Sequence, residues 1–160
     1  MFTTDNVQLL LSKATLKLIK DDKGVEHPMA ECILLRDPFP IALARELGEG
    51  VADHLYDDED GIREELQSIT LDPKVQQQAI SVREAPDVPS PLVTLRHVDI
   101  LTLTCAKAVD EKTGEVWIKA SLRVRFGLAE REHREFLVRG FGHLLCWSFS
   151  VEQRPLPLGV

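Results

Sequence analysis

The chain has few of the features that usually reveal what a protein does. No apolar run approaches the roughly 20 residues a membrane-spanning helix needs, so no membrane partner is expected. Its opening, Met1-Phe2-Thr3-Thr4-Asp5, has no basic region followed by an apolar core, which argues against a secretory leader. Cysteine is scarce: Cys32, Cys105 and Cys146 are odd in number, far apart and set in apolar stretches. That pattern disfavours a disulfide framework, suits a reducing cytoplasm and reads as three buried, inert thiols.

Signatures of chemistry are missing too. No serine or cysteine sits in a Gly-x-Ser-x-Gly turn, and no glycine-rich loop of phosphate-binding form occurs. Gly140-Phe141-Gly142-His143 is too short, and its surroundings too apolar, to cradle a phosphate. His27, His54, His97 and His133 fall in separate elements without the paired spacing of a zinc site. His143 and Cys146 lie three apart in a strand-like stretch, so they face opposite ways and cannot share a metal. The expectation is a protein that is not an enzyme and uses no cofactor and no metal.

What the chain does have is polarised charge. The net charge is −7, yet Glu46 to Asp72 holds ten acids and one base, Arg63, and alone carries −9. The rest of the chain is nearly neutral and locally basic, so any partner has to be discussed from this asymmetry. Within the acidic segment, Asp57-Asp58-Glu59-Asp60-Gly61 suggests a calcium loop. With Gly61 at the sixth position, such a loop would begin at Tyr56 and end at Gln67, where acidic ligands are required. Helix capping and a solvated acidic face fit better.

The most regular stretch runs from His97 to Phe126 and reads as two strands around Asp110-Glu111-Lys112-Thr113-Gly114. On the return strand Val116, Ile118, Ala120, Leu122, Val124 and Phe126 share one face, with Trp117, Lys119, Ser121, Arg123 and Arg125 on the other. That alternation is the period of a half-buried strand. An earlier hairpin is expected from Ala14–Lys20 and Val25–Arg36 around Asp21-Asp22-Lys23-Gly24, whose turn chemistry resembles the later one. Pro28 must lie at an edge or bulge.

From Ile41 to Tyr56, Leu43, Leu47, Val51 and Leu55 recur every four residues, the spacing of an amphipathic helix. A second short helix with Ile62, Leu66 and Ile69 is expected after an Asp57 or Asp58 cap, ending at Asp72-Pro73. Residues 74–90 read as a mobile connector holding a short strand at Ala79–Glu84. Leu128–Arg139 reads as a third helix, with a strand running from Phe136 to Val151 as the competing reading, and Leu144–Glu152 alternates with Leu145, Trp147, Phe149 and Val151 on one face. Residues 153–160 read as a frayed tail.

Together these spans predict a single α+β domain, residues 1–160. They give a mainly antiparallel sheet of five or six strands built from two hairpins, with two or three helices packed on one face. Two functions follow. The first is a cytoplasmic protein-interaction or accessory module with a protein partner. It would act through Asp53, Asp57, Asp58, Glu59, Asp60, Glu64 and Glu65, as a phage-type inhibitor or adaptor whose carboxylates imitate the phosphates of a duplex. The second is a nucleic-acid-binding accessory protein using Trp117, Lys119, Arg123 and Arg125, with one aromatic set among cations. A homodimer would cover edges that an open sheet exposes.

Overall fold

The computed structural model describes residues 4–47, 50–73 and 75–151. In chain order the elements are β1 (Thr4–Lys20), β2 (Glu26–Arg36), α1 (Ile41–Leu47), α2 (Val51–Leu55) and β3 (Ser68–Leu71). They continue with β4 (Val75–Arg83), β5 (Val93–Val109), β6 (Val116–Gly127), α3 (Arg131–Gly140) and β7 (Leu144–Val151).

Every pairing is antiparallel, and the strand order β3-β5-β4-β7-β1-β2-β6 returns on itself because β6 also pairs with β5. The sheet is therefore a closed six-stranded barrel with β3 as one extra strand. This corrects the expected open α+β sheet with helices on one face. Closure turns the apolar strand faces toward one another in the lumen, and α1 and α3 pack over the two ends of the barrel. At one end Phe39, Leu43 and Leu47 join Leu34, Leu103, Leu122 and Phe149 around a void of only about 20 Å³, and the Phe39 N–H donates to the Ile118 carbonyl. At the other end α3 sets Phe136 edge-on against Trp147 and His133 edge-on against Phe126.

The central hairpin forms where its alternation places it. Ile118, Ala120, Leu122, Val124 and Phe126 are buried in the lumen, while Lys119 and Arg123 are exposed. Apolar-in and charged-out is the reverse of a transmembrane barrel, and no helix among the described residues is long and apolar enough to cross a membrane. Asp21 and Asp110 build their turns alike. The Oδ1 of each accepts the backbone N–H two residues on, from Lys23 and from Lys112. Gly24 and Gly114 then take φ of +78° and +73°.

Other expected elements differ. β1 begins at Thr4 rather than Ala14, and its first part lies against β7. The Ile41–Tyr56 helix is two pieces, with Gly50 at φ +88° opening α2. The helix expected around Ile62 and Ile69 is absent. Tyr56 bridges to Ile62, and Ile69 pairs with Cys105 in the sheet. The connector at 74–90 is mostly β4, which pairs with both β5 and β7. β3 and β4 follow one another along the same edge of β5, separated at Asp72-Pro73, where proline cannot donate to a ladder. α3 runs from Arg131 to Gly140. The tail expected to fray, 153–160, lies outside the described residues.

Candidate functional site

The structure puts the two charged sets in different circumstances. Between α2, which carries Asp53, and β3 the acidic segment forms an exposed loop folded by the Asp57 carboxylate. Asp57 Oδ1 accepts the N–H groups of Glu59 and Gly61 at 2.9 Å each, and the Asp57 N–H donates to the Gly61 carbonyl at 2.8 Å. Asp60 adopts φ +63° and pairs with Arg45 at 2.6 Å. Glu65 stands 3.7 Å from Arg63, whose Nε also donates to the Asp53 carbonyl. The loop is anchored from below, where Leu55 and Leu66 are buried and the Tyr56 hydroxyl donates to the Phe39 carbonyl.

Asp57 is thus committed to the loop, and Asp60 and Glu65 to internal arginines. Asp53, Asp58, Glu59 and Glu64 are exposed, and among the described residues their carboxylates form no ion pair. Among the described residues, no group of three His, Cys, Asp or Glu side chains is arranged to hold a metal ion.

The basic face of β6 is largely answered from within. Trp117 Nε1 donates to Asp37 Oδ1 at 2.7 Å. Arg125 contacts Asp99 at 3.4 Å. Arg123 contacts Glu31 at 3.2 Å, and Lys17 reaches the same carboxylate at 2.6 Å. The hydrogen bond from Lys17, helped by the charges of Lys17, Arg123 and Arg125, holds the Glu31 carboxyl below its ordinary value of 4.5 against the opposing effect of burial. Of the four residues in the nucleic-acid reading, only Lys119 is exposed with no partner among the described residues.

The two arginines of this face are therefore paired internally, by Glu31 and Asp99 rather than by the acidic segment, and Asp37 engages Trp117. Sequence reasoning missed these three. Glu31 had a visible signal, a lone acid inside the run Met29-Ala30-Glu31-Cys32-Ile33. Asp99 had one too, since it lies across from Arg125 in the hairpin that the alternation predicts, whereas Asp37 had none, its partner Trp117 being 80 residues away.

The three cysteines are buried in the barrel wall. Burial pushes the Cys32 and Cys105 thiols up to about 12 and raises Cys146. They stay protonated at neutral pH and are poor nucleophiles. His133 is 2% exposed, with its Nδ1 2.7 Å from the Gly127 carbonyl and its Nε2 3.3 Å from the Arg96 amide, so it joins α3 to the ends of β5 and β6. Compared with protein-family models, curated proteins and solved structures, the chain gives no significant match.

Proposed function

We propose that this chain is a non-enzymatic protein-interaction module that works through its exterior, with the acidic segment as its main contact. One observation carries the reading. Asp53 on α2, Asp58 and Glu59 on the loop that Asp57 fixes, and Glu64 just beyond it are exposed, and among the described residues their carboxylates form no ion pair. A preformed array of carboxylates suits a basic groove because little ordering cost remains on binding. The lumen supports the same reading, since its side chains leave a void of only about 20 Å³ near α1. In its finer form the module is a phage-type inhibitor or adaptor whose carboxylates occupy a groove that a partner keeps for phosphates. The nucleic-acid reading gains no such support, because Trp117, Arg123 and Arg125 are engaged by Asp37, Glu31 and Asp99.

Carbodiimide cross-linking in native lysate, followed by mass spectrometry, tests the contact at residue level. The expected result is links from Asp58, Glu59 and Glu64 to lysines of one partner protein, fading as salt rises. Links confined within the chain would contradict the reading.

A further inference from the structure

β1 and β2 extend beyond the barrel. β7 accompanies β1 only from Thr4 to Leu10. The last backbone bonds on that side are Leu11 N–H to the His143 carbonyl, 3.3 Å, and Gly142 N–H to the Leu11 carbonyl, 2.8 Å. From Lys13 to Lys20, β1 pairs with β2 alone among the described residues. The Asp21 N–H donates back to the Val25 carbonyl. In an antiparallel ladder, residues of the same parity (Lys13, Thr15, Lys17 and Ile19) then turn their backbone groups toward β2. Ala14, Leu16 and Leu18 turn theirs outward, to an edge that no described strand occupies.

Side chains alternate in step with the amides. Leu16 and Leu18 lie opposite Ala30 and Pro28, on the face that continues the barrel's interior, yet they are 71% and 67% exposed. Lys13, Thr15 and Lys17 occupy the other face. There Lys17 and Arg123 share Glu31, and Arg125 holds Asp99, so cations outnumber acids. An unpaired edge with leucines on one face and excess positive charge on the other is a template for a strand of opposite pattern.

We infer that the Lys13–Lys20 edge of β1 docks an extended strand of a protein partner in which acidic and apolar residues alternate. Main-chain bonds to Ala14, Leu16 and Leu18 supply the attachment. Apolar residues of the incoming strand cover the leucines, and its acids lie across from Lys13 and Lys17. A second copy of the chain fits less well, since it would gather the lysines of both copies on one face. The surface is independent of the acidic segment in residues and in sign of charge.

The test uses the full chain with a short capped peptide alternating glutamate and valine, and its lysine–valine counterpart. Binding is followed by fluorescence anisotropy, and amide exchange by NMR. The acidic peptide is expected to bind at least about tenfold more tightly than the basic one. It should slow exchange at Ala14, Leu16 and Leu18, while Thr15 and Lys17, already bonded to β2, change little. Leu16→Pro removes an outward donor without touching the β2 ladder and is expected to weaken binding at least about tenfold. Lys13→Glu, a surface change, should shrink the preference for the acidic peptide and decides the matter if the proline variant fails to fold. Equal binding of both peptides, or unchanged exchange at the three amides, would overturn the assignment. So would concentration-dependent protection of those amides without peptide, which gives the edge to a second copy.

Discussion

Glu31 shows how one side chain can change the meaning of a surface. The strand pattern of β6 displays a row of cations, but it is silent about the neighbouring strand. β2 places Glu31 directly across from Arg125, with its carboxylate in reach of Lys17 and Arg123. Because the folded pKa of Glu31 lies below its ordinary 4.5, its contribution to stability is present above that value and is lost as the pH falls through the folded one. Glu31→Gln is therefore expected to lower stability at neutral pH by on the order of 1 kcal/mol or less, since Lys17 and Arg123 are half exposed. Denaturant titrations across pH should show the gap between wild type and variant closing on acidification below about 4.5. Gly140 is a second such residue. A Cβ there would come within 2.8 Å of the buried Phe136 ring and 3.4 Å of Leu145. Gly140→Ala is expected to cost about 1–3 kcal/mol in thermal or chemical unfolding. Gly140 lies just past the helix expected over Leu128–Arg139, and the structure makes it the last residue of α3 and a packing position.

At the scale of elements, legibility followed periodicity. β5 and β6 were readable because their alternation is long and their turn residues are specific. The first part of β1 was not, since Leu9-Leu10-Leu11 blurs the alternation and the register slips between Leu11 and Lys13. The stretch after Tyr56 misled for a different reason. Ile62, Leu66 and Ile69 keep a helical spacing, but Asp57 binds the amides of its own loop rather than capping a helix. Ile69 then enters β3. Serial carboxylates compete for local backbone donors, and here that competition wins over propensity. Asp57→Ala removes two hydrogen bonds from the loop while leaving its outward carboxylates unchanged. It is expected to speed amide exchange at Glu59 and Gly61 several-fold, with a loss of about 1 kcal/mol locally. Unchanged exchange would mean that the loop is held by something else.

At the scale of the whole molecule, closure was the feature no local pattern could supply. Alternation shows which face of a strand is buried, but it does not show that β7 meets β1 or that β2 meets β6. Those pairings join residues far apart in sequence, Leu9 with Leu145 for example. Once the sheet closes, the apolar faces fill one another, and polar opportunity is left to the outside and to the free end of β1. The charge asymmetry, by contrast, was legible from the start because it depends only on composition along the chain. What composition could not give was the sorting, with Arg123 and Arg125 of β6 paired internally and four carboxylates of the acidic segment left to solvent. The central claim is that these four meet a partner. Affinity capture from native lysate, comparing wild type with the Asp53→Asn, Asp58→Asn, Glu59→Gln, Glu64→Gln variant, tests it most directly. The expected result is a protein partner retained by wild type and lost by the variant. Equal retention by both, or capture that vanishes on nuclease treatment, would contradict it.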